Sequence, residues 1–176
     1  MVDILKNSPS DFSNLKNWDY EENFYNLETE YGELRIHYID EGKENDKTVF
    51  LLHGEPDWGY IYRKFVNPLV ESGLRVVVPD LPGFGKSDKL SDRNAYTYEK
   101  YVMWMNSWLN DLDLKNVTLF GQDWGGLIGL RMVVDNDERF NSIVVSNTGL
   151  PTGDFSPGED FENWKKYAQT VENFHA

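Results

Sequence analysis

Four short runs, TVFLL (48–52), RVVVPD (75–80), NVTLFG (116–121) and SIVVSN (142–147), are apolar almost without interruption. A strand with one wet face alternates apolar and polar residues. A strand without that alternation is buried on both faces, the situation in a parallel sheet covered by helices. Segments with helical spacing lie between these runs. YIYRKFVNPLVESG (60–73) has Gly73 placed to end a helix, and Pro68 inside it predicts a kink or a break. TYEKYVMWMNSWLNDLDL (97–114) is strongly amphipathic, with Thr97 as its N-cap, and GGLIGLRMVVDN (125–136) is a third helix. Ahead of them LRIHYIDEG (34–42) alternates and turns at Gly42, the pattern of a strand at the edge of a hairpin, while 8–20 is polar and irregular. Strands alternating with helices predict an α/β fold with a mostly parallel sheet and flanking helices.

The chain of 176 residues is long enough for one domain with a sizeable core. Its formal charge of −13 argues against nucleic acid or an anionic membrane as partner. No cysteine is present, which excludes disulfides and thiolate metal sites. The opening MVDILKNSPSDF has no long apolar segment, so neither a signal peptide nor a membrane span is expected, and the default location is cytoplasmic. Asn116-Val117-Thr118 fits a glycosylation pattern but leads into a buried type of strand, so it is discounted. From Leu150 the character changes: PTGDFSPGED (151–160) reads as a linker, and FENWKKYAQT (161–170) as the start of another helix.

The junction FGQDWGGLIGL (120–130) carries the chemistry. In parallel sheets, functional groups gather where strands end and helices begin. Here Gly121 and Gly125 flank Asp123 at two residues on either side, with Gly126 following. A sharp strand-to-helix turn strains its tip and crowds its neighbours, so small flanking residues are required. This is a nucleophile elbow with Asp123 where a lipase has serine. If Asp123 merely capped the helix, the three glycines around it would go unexplained. A carboxylate with a reference pKa of about 3.9 is ionised at neutral pH and attacks without a base. It suits displacement at saturated carbon bearing a good leaving group, or opening of a strained ring.

Two further loops leave strands on the same pattern. His53-Gly54-Glu55-Pro56 follows TVFLL and is able to aim a backbone N–H at Asp123; with the N–H of Trp124 it would form an oxyanion hole. LPGFGKSD (81–88) follows RVVVPD. Its GKS hints at a phosphate loop, but that pattern needs glycine at Asp80 and a helix directly after it, so the reading is rejected. Asp123, Glu55 and the 79–85 loop are therefore expected at one end of the sheet, with Asp123 less than about 10 Å from the Glu55 amide.

HGEPDWGYIYRKF (53–65), PDLPGFGKSDK (79–89) and GQDWGG (121–126) together resemble haloalkane dehalogenases of the α/β-hydrolase superfamily. The resemblance runs from about Glu33 to Thr148 and on to Trp164. GQDWGG alone also resembles epoxide hydrolases. Glu55 after His53-Gly54 is the sharper mark, since epoxide hydrolases usually carry an aromatic there. Fluoroacetate dehalogenases are less similar, having Arg in place of Trp124.

The resemblance implies an α/β-hydrolase core over 1–149 and the start of a helical cap over 150–176. It implies that Asp123 is the nucleophile, that the backbone N–H groups of Glu55 and Trp124 hold its second oxygen, and that the Trp124 indole binds the departing halide. Trp164, in ENWKKYAQ, is either a second halide donor or an apolar anchor for the cap. Trp18, Trp58, Trp104 and Trp108 are expected to pack. The implied partners are a small haloalkane, water and halide, with no cofactor and no metal, and a monomer for a complete relative.

The chain departs from the family in one respect. Hydrolysis of the ester on Asp123 needs a histidine base and an acid to orient it. The three histidines are His37 in the early hairpin, His53 in the oxyanion loop, and His175 near the end. After SIVVSN, where one family group carries the acid, stand Asn147 and Thr148. Base and acid are thus absent, which predicts the first half of a dehalogenase, deficient in turnover. Two other readings stay open: a portion of an epoxide hydrolase, for which Tyr167 is the visible cap tyrosine, and a non-catalytic binding module.

Overall fold

Each of the four apolar runs forms a strand, and the four lie side by side in parallel. The computed structural model describes residues 2–150, 153–154 and 158–171. In chain order they form β1 (Ile4–Leu5), β2 (Asn23–Thr29), β3 (Gly32–Glu41), β4 (Thr48–Leu52), α1 (Val66–Glu71), β5 (Arg75–Pro79) and β6 (Lys89–Leu90). There follow α2 (Tyr98–Asp111), β7 (Val117–Gln122), α3 (Trp124–Asp135), β8 (Phe140–Ser146) and α4 (Glu159–Thr170).

The main sheet has the order β2-β3-β5-β4-β7-β8. β5, β4, β7 and β8 are parallel, while β2 and β3 join antiparallel. The expectation for β3 needs correction: it pairs on both sides, with β2 and β5, and β2 is the edge. The mostly parallel sheet with flanking helices is as expected. The chain leaves β4 for β5 on one side and returns to β7 on the other, so the strand order reverses at β4. Ligands of open α/β sheets gather beyond the carboxyl ends of strands at such a point.

Period-two alternation along β4 sorts its side chains into two cores. Phe50 and Leu52 face the layer of α2 and α3, among Trp104, Met105, Trp108, Ile128 and Met132. Val49 and Leu51 face the other layer, with Ile39, Tyr62, Val66 and Trp18. Trp104 and Trp108 are four residues apart on α2 and fully buried, each ring gaining about 1.5–3 kcal/mol by leaving water against the cost of an indole N–H with no hydrogen-bond partner among the described residues. Trp18 reaches in from the irregular N-terminal segment and meets Trp58 edge-on at 5.8 Å.

The helix ends follow the local chemistry. Thr97 Oγ1 accepts the Lys100 N–H and caps α2. Pro68 breaks the expected long helix: residues 59–62 form a 3-10 turn, and α1 starts only at Val66, which leaves Pro68 in its first turn, where no amide is missed. No helix among the described residues is long and apolar enough to cross a membrane.

Among the described strands β8 pairs with β7 alone, and Ile143, Val144 and Val145 are each about half exposed. An uncharged apolar edge is a template for pairing with another chain. A polypeptide of these 176 residues is expected to self-associate or bind a hydrophobic dye, and Val144→Lys to reduce both. Light scattering with dye titration checks this; a monodisperse monomer without dye binding would contradict it.

Candidate active site

β7 ends at Gln122 and α3 begins at Trp124, so a single residue, Asp123, makes the whole turn. Its backbone sits at φ 52° and ψ −125°, outside the regions that L-residues prefer, at a cost of order 1–3 kcal/mol. The surroundings over-determine that conformation. Asp123 N–H donates to the Ser146 carbonyl at 3.3 Å, and Thr148 Oγ1 donates to the Asp123 carbonyl at 2.7 Å. Gly125 is pressed against the end of β4, where a Cβ would stand 2.6 Å from the Leu52 carbonyl carbon. Only glycine allows so close an approach.

The carboxylate does not cap α3, which has no side-chain N-cap bond. Asp123 Oδ1 instead accepts the Glu55 N–H at 3.0 Å, from the loop after β4. Capping is therefore not what Asp123 does. The neighbouring peptide is tied to the same turn, since Gly54 N–H donates to Gln122 Oε1 at 3.3 Å.

His53 is fully buried, and both ring nitrogens are engaged. Nδ1 lies 2.9 Å from the Gly54 carbonyl, and Nε2 accepts the Leu81 N–H at 2.9 Å. A carbonyl only accepts, so Nδ1 carries the proton. Burial pushes this imidazole below its usual range, against the smaller opposing effect of Asp80, so it is neutral at physiological pH. It has no free nitrogen with which to activate water. His37 is also buried, with Nδ1 2.9 Å from Asp80 Oδ2. Burial alone would raise the Asp80 carboxyl, but the hydrogen bond with His37, together with the Lys86 N–H, holds it below the usual range. Asp80 also accepts the Gly59 N–H at 2.8 Å, and so fixes the start of the 80–88 loop. His175 lies outside the described residues.

These loops enclose a cavity of about 600 Å³ at the carboxyl ends of β4, β5 and β7. Glu55, Phe84, Tyr96, Tyr101, Trp124 and Ile128 are among its walls. β1 pairs with β6, bringing Leu5 and Leu90 to the same wall, and neither two-residue strand was foreseen in the sequence. The tyrosines present ring faces and edges. Tyr101 Oη donates to the Pro82 carbonyl at 3.0 Å, Tyr98 Oη to the Leu127 carbonyl at 3.1 Å, and Tyr96 Oη accepts the Leu90 N–H at 2.5 Å.

Trp124 is 36% exposed and stands between this cavity and a second, shallower one reaching Val134 and Leu150. Trp164 lies on α4 with its ring 5.8 Å from that of Phe161; it is half exposed and is not among the cavity's lining residues. α4 does reach the cavity wall, since Arg93 lines the cavity and donates to the Gln169 carbonyl at 2.5 Å. Asn147 and Thr148 stand beside the Asp123 turn, and neither is acidic.

The Glu55 carboxyl is pushed above its ordinary value, by burial first and by the Asp123 charge second. A raised native pKa means that the folded state binds the proton more readily than the unfolded one. Glu55 therefore costs stability as pH rises above the unfolded value of 4.5 through the native one. Glu55→Gln is expected to raise the denaturation midpoint near pH 7 and to leave it unchanged below about pH 4. Denaturant melts at the two pH values check this, and equal midpoints at neutral pH would contradict it.

The family model for the alpha/beta hydrolase fold matches residues 47–173. A haloalkane dehalogenase of Psychrobacter cryohalolentis is 49% identical over 173 residues, covering 98% of this chain and 57% of the relative. One from Mycolicibacterium paratuberculosis is 41% identical, covering 94% and 56%. Among solved structures, the tetrameric haloalkane dehalogenase DpaA of Paraglaciecola agarilytica superposes with a TM-score of 0.89 at 36% identity, covering 98% of this chain and 57% of that one. An epoxide hydrolase of Vigna radiata reaches a TM-score of 0.63 at 25% identity, covering 72% and 38%. The chain belongs to the α/β-hydrolase fold family. Within that family it is similar to haloalkane dehalogenases, and it spans about 57% of the length of the first of these relatives.

Proposed function

We propose that the chain carries the nucleophile-bearing part of a haloalkane dehalogenase, with Asp123 displacing halide from a haloalkane. The observation that carries this reading is the Asp123 carboxylate, free of capping duty and bound by the Glu55 N–H at 3.0 Å, next to an apolar cavity that Glu55 and Trp124 line. One carboxylate oxygen attacks the halogen-bearing carbon, the C–O bond forms as the carbon–halogen bond breaks, and the bonding pair leaves with the halide. The Trp124 indole N–H stabilises that halide, a bond to a charged acceptor of about 1.5–3 kcal/mol that strengthens as charge develops. The backbone N–H groups of Glu55 and Trp124 form the oxyanion hole for the second oxygen of Asp123. Trp164 enters as a second halide donor on the resemblance of ENWKKYAQ alone, and standing off the cavity wall it is the weaker assignment.

Water must then hydrolyse the ester, with a base to take its proton and an acid to orient that base. His53 has both ring nitrogens bonded, His37 is buried against Asp80 and does not line the cavity, and Asn147 and Thr148 offer no carboxylate. A polypeptide of these 176 residues therefore stops at the ester in this reading. Residues 1–149 are the hydrolase core and 150–176 the first part of the cap. Haloalkane, water and halide are the partners, and a cytoplasmic setting goes with the acidic, cysteine-free composition. The tetrameric DpaA lends no support to a monomer as the complete form.

The epoxide-opening alternative rests on Tyr167 of α4, which is exposed and not among the cavity's lining residues, while Tyr98 and Tyr101, which do line it, donate their hydroxyls to carbonyls. Parallel incubations with 1-bromobutane and styrene oxide, followed by intact mass, separate the two. The halide reading expects an adduct from the bromide alone. An adduct from the epoxide alone would replace it with the epoxide reading, and none from either would leave a binding module.

A further inference from the structure

The Gly54–Glu55 peptide holds the N–H that meets Asp123, and its direction depends on a residue with little rigidity of its own. Gly54 must be glycine, because a Cβ there would stand 2.5 Å from Asp123 Cβ and 2.7 Å from the Trp124 nitrogen. Glycine also leaves the backbone free to rotate about both bonds of its α-carbon, and such a rotation would turn the Glu55 N–H away from the carboxylate. The N–H and C=O of a trans peptide point in opposite directions, so holding the carbonyl fixes the amide.

His53 holds that carbonyl. Its Nδ1–H donates to the Gly54 oxygen at 2.9 Å, and on the far side of the ring Nε2 takes the Leu81 N–H at 2.9 Å. The Phe84 ring packs edge-on against the imidazole at 5.5 Å. On the other side of Gly54, its own N–H is held at 3.3 Å by Gln122 Oε1, from the residue directly before Asp123. The glycine is thus clamped at both of its polar groups, from the 80–88 loop and from the end of β7.

We infer that His53 and Gln122 are positioning residues that hold the Gly54–Glu55 peptide with its N–H aimed at Asp123. The inference rests on the reading of Asp123 as the nucleophile and adds to it the source of the donor's rigidity. A donor fixed before the reaction needs no reorganisation as charge shifts on the carboxylate, and fixed donors are where such sites gain most of their effect. Neither residue touches the reacting atoms.

The test uses the chain with His53→Gln, His53→Asn and Gln122→Leu. The glutamine amide reaches the place of Nε2 and keeps Leu81 but loses Gly54; the asparagine amide lies at the place of Nδ1 and keeps the Gly54 bond. Two quantities are read: hydrogen exchange at the Glu55 amide, and the rate of butyl ester formation on Asp123 with 1-bromobutane. His53→Gln and Gln122→Leu are expected to speed exchange and slow ester formation, each by about tenfold, with melting temperatures close to that of the unaltered chain. His53→Asn is expected to recover at least part of both. Exchange and rate that follow melting temperature alone across the three variants would overturn the inference, as would a folded Gln122→Leu with both quantities unchanged. If the unaltered chain forms no ester, the nucleophile reading fails, while the exchange at Glu55 still decides the clamp.

Discussion

Asp123→Asn is expected to abolish ester formation with 1-bromobutane, lowering its rate by at least about 10³-fold, while the protein melts close to the unaltered temperature. The two halves of this expectation have separate causes. An amide oxygen carries no net charge and is a poor nucleophile toward saturated carbon, so the displacement step loses its driving group. The fold keeps what it needs, because asparagine tolerates positive φ about as well as aspartate and its Oδ1 still accepts the Glu55 N–H. Intact mass after timed exposure gives the rate, and a denaturant melt gives the stability. Loss of both together would mean that Asp123 is structural.

Gly125→Ala is expected to destabilise the chain by about 3 kcal/mol or more and to leave much of it insoluble. A methyl at Gly125 runs into the carbonyl oxygens of Leu52 and His53, and both are backbone atoms at the end of a central strand. Backbone in a paired strand cannot step aside as a flexible side chain does. The first turn of α3 would have to lift from β4, carrying Asp123 away from the Glu55 N–H. Gly149→Ala is the control: a Cβ there meets nothing within 4 Å, so its effect should stay within about 0.5 kcal/mol. Chemical denaturation of both variants compares them, and similar midpoints would mean that α3 and β4 are not in the close contact described.

Much of this architecture was legible in the sequence because the parallel strands are buried. TVFLL, RVVVP and VTLFGQ became β4, β5 and β7 with cores on both faces, whereas SIVVSN became β8 and stays about half exposed. Pro68 was legible as a break because a helix accepts proline only in its first turn, a local rule. β2 was not, because NFYNLET alternates only weakly and its pairing with β3 is a tertiary matter. The two-residue strands β1 and β6 leave no periodicity to read.

The position of Asp123 was legible through its glycines, and its approach to Glu55 through the shared polarity of β4 and β7. Which polar groups satisfy one another was not. His37 and Asp80 are 43 residues apart in sequence and meet only because β3 pairs with β5. His53 reads as one more loop histidine until Leu81 and Gly54 are seen to occupy both of its nitrogens. Trp164 depends on how α4 sits over the cavity, which neighbouring residues in the sequence do not encode.

A nucleophile without a base is marked by where carbon becomes attached and how often. The direct measurement is to incubate the 176-residue chain with excess 1-bromobutane, follow bromide in solution, and map the modified peptide by tandem mass spectrometry. The account expects a single butyl ester on Asp123 and bromide levelling off at no more than about one equivalent per chain. A modification elsewhere, the absence of any modification, or bromide release continuing through many equivalents would contradict it.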